Sequence, residues 1–197
     1  MKKVLIVCAL EIETQGQLED YDVLYTGVGK VNATLKLTQK FGKFGSHIPY
    51  DLVINYGTAG SQVQKYVKGD LVDCTQFVQR DMDVSGLGFK PGQTPFEEDV
   101  PTILHSNSAF NPIRDYAVCG TGDSFVQEKT VVDVQSIVDM EAYALAKVCS
   151  HYKVPFISFK YITDDANVTA GDDWLDNVPK GIVKFKEKVL DKLKNNS

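Results

Sequence analysis

The chain has 197 residues, is 43% hydrophobic and carries a formal net charge of −5 at pH 7. That length and apolar content suit one domain, spanning 1–197, with a sizeable core. The acidic balance gives no reason to expect a nucleic acid or a membrane surface as partner, because both usually demand basic surface; no apolar run approaches the ~18 residues of a membrane span.

In chain order, Lys2–Ala9 is a β-branched and apolar run and predicts a buried strand. The opening "MKKVLIVCALEIET" has no small-residue cleavage site and meets Glu11 and Glu13 at once, so it reads as a first strand rather than a signal peptide. "DVLYTG" (22–27) predicts a second short strand, followed by "GVGK". Residues 30–41 have helical character, with Val31, Leu35, Leu37 and Phe41 as the apolar positions. "DLVINYG" (51–57) predicts a buried strand handing over to a loop at "NYGTAG". Residues 69–81 form a long strand candidate, and 82–115, with three glycines and four prolines, read as irregular with short pieces of structure. "DYAVCGTG" (115–122) predicts a strand ending in glycines. "SIVDMEAYALAKVCSHY" (136–152) begins extended and becomes an apolar helix. "VPFISFKYIT" (154–163) predicts another buried strand. The chain closes on an amphipathic helix whose Ile182, Phe185, Val189 and Leu193 share one face, with the last four residues frayed.

Strands alternating with helices predict an α/β domain with a mainly parallel sheet and helices on both sides. In such sheets ligands bind beyond the carboxyl ends of strands. Glu13, Thr58, Asp123 and Asp164 each follow a predicted strand, so four strand ends can supply one pocket. Cys8, Cys74, Cys119 and Cys149 sit among apolar residues with no C-x-x-C pair, which predicts buried free thiols and a reducing, cytoplasmic location. His47, His105 and His151 are scattered without metal-ligand spacing.

The chemistry-bearing residues each admit two readings. "GVGK" matches neither the Walker nor the dinucleotide pattern; it is a plain turn into a helix or a backbone-lined ligand loop. Glu141 lies among apolar residues at a helix start, with Asp139 placed to cap that helix. An unpaired carboxylate there is costly, and two ribose hydroxyls would satisfy it. Asp164 and Asp165 are either turn and cap residues, or one of them is a proton donor whose pKa is raised by partial burial. Glu11 and Glu13 flank Ile12, so a continuing strand would put both on one side, either solvated or orienting a water.

Taken in order, "ALEIE", "GVGKVNA", "INYGTAG", "KGDLV", "RDMDVSGLGFKPGQTP", "GTGDSF", "VDMEAYALA" and "ITDDA" resemble the purine nucleoside phosphorylase/nucleosidase superfamily over nearly the whole chain. The nearest resemblance is to the 5′-methylthioadenosine/S-adenosylhomocysteine nucleosidases, where a D-V-x-x-x-G-x-x-x-G-Q-x-P segment is typical. The resemblance implies a three-layer α/β/α sandwich around a mixed, partly barrel-like sheet. It also implies hydrolysis of the bond between adenine and a 5′-thio-substituted ribose, with no metal or organic cofactor. By position it makes Glu13 the residue that activates water and Asp164 the acid that serves purine N7. Glu141 would bind the ribose hydroxyls and Met140 would pack on the sugar. Phe125 and Val126 would hold the base, and Thr58, Ala59 and Gly60 would lie beside ribose and water. Val28 and Trp174 would stand near the 5′ end.

Phosphorylases of the superfamily usually bring arginines to phosphate; Asn55 and "EIE" occupy those places here, which favours water. The alternatives are a phosphate-dependent phosphorylase and a nucleoside-binding protein without turnover. The resemblance further implies a homodimer, with Phe96 a candidate to reach across its interface. The short span between Glu13 and Gly27 leaves little room for the extra strands many relatives insert there, and the 5′ pocket is expected to be trimmed accordingly.

Overall fold

The computed structural model describes residues 3–45, 47–97, 102–126, 134–167 and 170–195. Strand β1 (Val4–Cys8) leads through a 3-10 turn (Glu11–Glu13) to β2 (Asp22–Tyr25) and α1 (Lys30–Gly42). Then come β3 (Leu52–Ser61), β4 (Leu71–Gln79), a 3-10 turn (Ser85–Leu87), β5 (Ile103–His105), β6 (Ala117–Thr121) and β7 (Ile137–Asp139). Helix α2 (Ala142–His151), β8 (Phe156–Asp164) and α3 (Ala170–Asn177) follow. After a 3-10 turn (Val178–Lys180), the last helical segment runs as α4 (Gly181–Phe185), a π-helical turn (Lys186–Leu190) and α5 (Asp191–Asn195).

The sheet is mixed, with five parallel and three antiparallel pairings among the described residues. Its order is β2-β1-β3-β7-β6-β4-β5, and β8 pairs with both β3 and β4. That second pairing closes β3, β7, β6, β4 and β8 into a barrel-like ring. β8 runs parallel to β3 but antiparallel to β4. The sandwich with a partly barrel-like sheet expected from the resemblance is therefore what the chain forms.

Alternation along the strands divides the core in two. Leu5 and Val7 of β1 face a cluster with Ala33, Leu37 and Phe41 of α1 and Leu145 and Cys149 of α2. Ile6 and Cys8 face the other way, onto Ile182, Phe185, Val189 and Leu193 of the last helical segment. All four predicted positions of that segment are buried. Phe185 stacks on Tyr56 with ring centroids 4.3 Å apart. All four cysteines are buried and free.

Three expectations change. "NYGTAG" is strand, not loop, because β3 stays paired with β8 from Val53 through Gly60. The first strand stops at Cys8, so Glu11 and Glu13 lie on a 3-10 turn; Glu11 is exposed while Glu13 is buried. In α1 the buried face is Ala33, Leu37 and Phe41, and Val31 and Leu35 point outward, 75% and 48% exposed. The expected fraying of the last four residues falls partly on 196 and 197, outside the described residues.

The Tyr56–Phe185 stack joins the final helical segment to the central strand. Phe185→Ala is expected to lower stability by about 3–5 kcal/mol, read from the midpoint of a urea or guanidinium unfolding curve.

Candidate active site

A cavity of about 230 Å³ opens where β1, β3, β7 and β8 end. Every residue to which the resemblance gave a role at the site lines it: Glu13, Val28, Thr58, Ala59, Gly60, Phe125, Val126, Met140, Glu141, Asp164 and Trp174. Asp123 does not. Its carboxylate instead accepts a hydrogen bond from the Lys30 backbone N–H at 2.8 Å, capping α1. "GVGK" is thus a turn into a helix, with Gly27 and Gly29 at φ of +79° and +94°, and its backbone also serves the site.

Glu13 is 3% exposed. Its Oε2 accepts backbone N–H groups of Ala9 at 3.0 Å and Leu10 at 2.9 Å, and its Oε1 accepts that of Thr58 at 3.2 Å. Burial pushes its carboxyl above the ordinary value, and these donors together with Lys160 oppose that rise. A Cβ on Gly57 would fall 3.1 Å from Glu13 Oε1 and 3.2 Å from Lys160 Nζ, so the bare backbone lets both charged groups approach β3.

Glu141 is pushed up to about 8, first by burial and then by the neighbouring Asp139 carboxylate; Lys160 and the Gly29 N–H pull the other way. That N–H, at the start of α1, donates to Glu141 Oε1 at 2.8 Å, so the positive end of the helix faces the carboxyl. Asp164 is raised first by burial. Its Oδ2 accepts from the Thr163 hydroxyl at 2.7 Å and its Oδ1 from the Ala166 N–H at 2.9 Å. A Cβ on Gly60 would stand 2.6 Å from Asp164 Oδ1. Trp174 reaches from α3, its indole N–H donating to Thr58 Oγ1 at 3.0 Å.

Two cations here escaped the sequence reading. Lys160 and Asp139 form an ion pair at 2.8 Å with both side chains 1% exposed. Asp139 also accepts from the Thr121 hydroxyl at 2.5 Å and the Ala142 N–H at 2.8 Å. It therefore caps α2 as expected while also balancing Lys160. Arg80 lines the cavity, but its guanidinium donates to Ser124 Oγ and to the carbonyls of Gly122 and Ser124. The available signal was a lysine inside an otherwise apolar strand, "FISFKYIT". Among the described residues, no group of three or more His, Cys, Asp and Glu is placed to hold a metal. Four carboxyls thus line one cavity: Asp139 is paired with Lys160, while Glu13, Glu141 and Asp164 are held by backbone N–H or hydroxyl donors, an arrangement able to hand a proton to a ligand and take one from water.

The raised Glu141 pKa has a sign. Its folded value, about 8, exceeds the ordinary 4.5, so its contribution to stability is fully present below the lower value and is lost as pH rises through the upper one. Glu141→Gln keeps the acceptor for Gly29 without that loss. Relative to the unsubstituted protein it is expected to gain on the order of a few kcal/mol between the two values, seen as a growing thermal-midpoint difference as pH rises.

Comparison with known proteins places the chain in a family. The family description "Phosphorylase superfamily" matches residues 14–194. A 5′-methylthioadenosine/S-adenosylhomocysteine nucleosidase of Anoxybacillus flavithermus is 34% identical over 160 residues, covering 73% of this chain and 67% of the relative. One from Bacillus thuringiensis is 31% identical, covering 92% and 86%. Among solved structures, a mutant Helicobacter pylori MTAN with 5′-methylthioadenosine in the active site has a TM-score of 0.85 at 25% identity, covering 98% of this chain and 99% of that one. Helicobacter pylori futalosine hydrolase shares the fold, with a TM-score of 0.83 at 23% identity over 97% and 98% of the two chains. With the family match running over residues 14–194, the chain belongs to the Phosphorylase superfamily.

Proposed function

We propose that this protein hydrolyses the N-glycosidic bond of 5′-methylthioadenosine, S-adenosylhomocysteine or a closely related 5′-modified adenosine. The observation that carries the reading is the convergence of Glu13, Glu141 and Asp164 on one cavity. The names and the bound nucleoside of the relatives support it.

Adenine leaves poorly as an anion. Asp164, whose carboxyl burial raises above the ordinary value, gives a proton to N7 as the bond from C1′ to N9 breaks, so the base departs neutral. Such general-acid help is typically worth ~10²–10⁴-fold. Water attacks C1′ and yields a proton to Glu13, whose burial makes it a stronger base than an exposed carboxylate. The sugar becomes cationic in between, and negative groups already held in place stabilise it without reorganising. Glu141 accepts the ribose hydroxyls, Met140 packs on the sugar, and Phe125 with Val126 holds the base. Thr58, Ala59 and Gly60 flank ribose and water; Val28 and Trp174 meet the 5′ substituent.

Water rather than phosphate is favoured by how the cations are engaged. Lys160 is paired with Asp139 and Arg80 is bound to the 122–124 segment. A phosphate dianion beside Glu13 would meet repulsion of several kcal/mol in so poorly solvated a site. For the assembly we infer a homodimer. Val28, Val31 and Leu35 near the start of α1 are exposed, as are Leu87 and Phe96, the last 86% exposed; together they offer apolar surface for a second copy. No helix among the described residues is long and apolar enough to cross a membrane, and the buried free thiols suit a cytoplasmic setting.

A panel of 5′-modified adenosines and inosines, assayed with and without phosphate and with base and sugar identified, tests the reaction. Free adenine and free 5′-substituted ribose are expected at the same rate in both conditions. A sugar 1-phosphate would identify a phosphorylase, and binding without base release a non-catalytic protein. Asp164→Asn is expected to lower kcat by ~10²–10⁴-fold while nucleoside binding persists.

A further inference from the structure

Two consecutive residues beyond β4 grip the segment that leads to Phe125 and Val126. Arg80 is buried, 8% exposed. Its Nη1 donates to Ser124 Oγ at 3.1 Å, and its Nη2 donates to the Gly122 carbonyl at 3.2 Å and to the Ser124 carbonyl. Asp81 holds the same segment from the other side: its Oδ2 accepts the Asp123 N–H at 2.9 Å. Its Oδ1 accepts Lys30 Nζ at 2.5 Å. Asp123 in turn accepts the Lys30 backbone N–H at 2.8 Å, and the adjacent Gly29 N–H donates to Glu141 Oε1 at 2.8 Å. The contacts are close enough to exclude side chains. A Cβ on Gly122 would lie 2.7 Å from Arg80 Cζ, and one on Gly29 would lie 3.1 Å from Asp123 Oδ1.

These bonds exceed what the fold requires. The β4–β6 ladder already runs in register to Gln79 opposite Thr121. The Arg80 N–H then bonds the Thr121 carbonyl at 2.9 Å, and the Gly122 N–H bonds the Asp139 carbonyl at 3.1 Å. The guanidinium acts past the ladder's end, on Gly122 and Ser124 immediately before Phe125. A buried guanidinium is expensive to desolvate unless its donors are satisfied; here the acceptors of Nη1 and Nη2 all belong to that segment, while the buried Nε has no partner among the described residues.

We propose that Arg80 and Asp81 are positioning residues: together they lock the base-holding segment to the amino terminus of α1, and so set it at a fixed separation from Glu141. This rests on the functional reading above, in which Phe125 and Val126 meet the base and Glu141 the ribose. Asp81 does not line the cavity, so its effect on a ligand passes through the segment it holds.

The test compares the unsubstituted protein with Arg80→Met, Arg80→Lys and Asp81→Ala in steady-state kinetics with 5′-methylthioadenosine, and in inhibition by adenine alone and by 5-methylthioribose alone. Hydrogen bonds to a charged group lost from Arg80→Met are expected to raise KM and the adenine inhibition constant by about ten- to a hundredfold. The methylthioribose constant is expected to move far less, and kcat to fall less than KM rises. Arg80→Lys restores part of the adenine effect, because one ammonium can still reach a carbonyl but cannot fork. Asp81→Ala gives a smaller change with the same split, and being partly exposed it decides the matter should Arg80→Met fail to fold. Equal shifts for base and sugar, or no shift in Asp81→Ala, overturn the proposal. If the unsubstituted protein releases no base, the functional reading itself falls; if it turns over normally and the split is missing, only this inference does.

Discussion

Strand β3 is shared by two structures at once, and the site depends on that sharing. Its first half pairs with β1, its whole length to Gly60 pairs with β8, and its end pairs with β7. The β3–β8 register sets Gly57 opposite Lys160, Thr58 opposite Tyr161 and, after a bulge, Gly60 opposite Asp164. One ladder therefore carries the acid, the buried cation and the glycines that make room for them. A one-residue slip would turn every one of these side chains to the other face. The bulge between Ala59 and Gly60 re-aims the strand end, as bulges beside active sites commonly do.

Around that ladder the electrostatics are arranged by burial. Asp139 is kept ionised against burial by Lys160, the Thr121 hydroxyl and the α2 amino terminus. Lys160 is held charged against burial chiefly by Asp139. Glu13, Glu141 and Asp164 lack so close a counter-ion and are all raised. The contrast follows from distance: a 2.8 Å ion pair overrides desolvation, whereas backbone donors only moderate it. The site thus combines one fully compensated pair with three raised carboxyls.

The arrangement also ties Glu141 and the segment that carries Asp123 to one helix terminus. Gly29 and Lys30, consecutive in the chain, donate to Glu141 and to Asp123. The helix dipole thereby faces two acidic groups at once. Trp174 also lines the cavity and donates to Thr58, which joins α3 to β3.

Much of this was legible in the residues themselves. Apolar runs marked nearly every strand, because a strand buried on both faces must be apolar throughout. The spacing of Ile182, Phe185, Val189 and Leu193 marked the helical face that the second core buries. Ordered motifs pointed to Glu13, Glu141 and Asp164. What the sequence by itself determined was thus the class of fold and the candidate groups, since hydrophobic pattern and local turn chemistry are properties of neighbours along the chain. Only the tertiary structure decided that "NYGTAG" is strand, that Glu11 and Glu13 part company, and that Lys160 lies beneath the site paired with Asp139. The upward shift of the three carboxyls and the grip of Arg80 on Ser124 were decided there too. The physical reason is that desolvation and Coulomb interaction act through space, between residues as distant in sequence as Gly29 and Glu141, and no local pattern encodes their meeting.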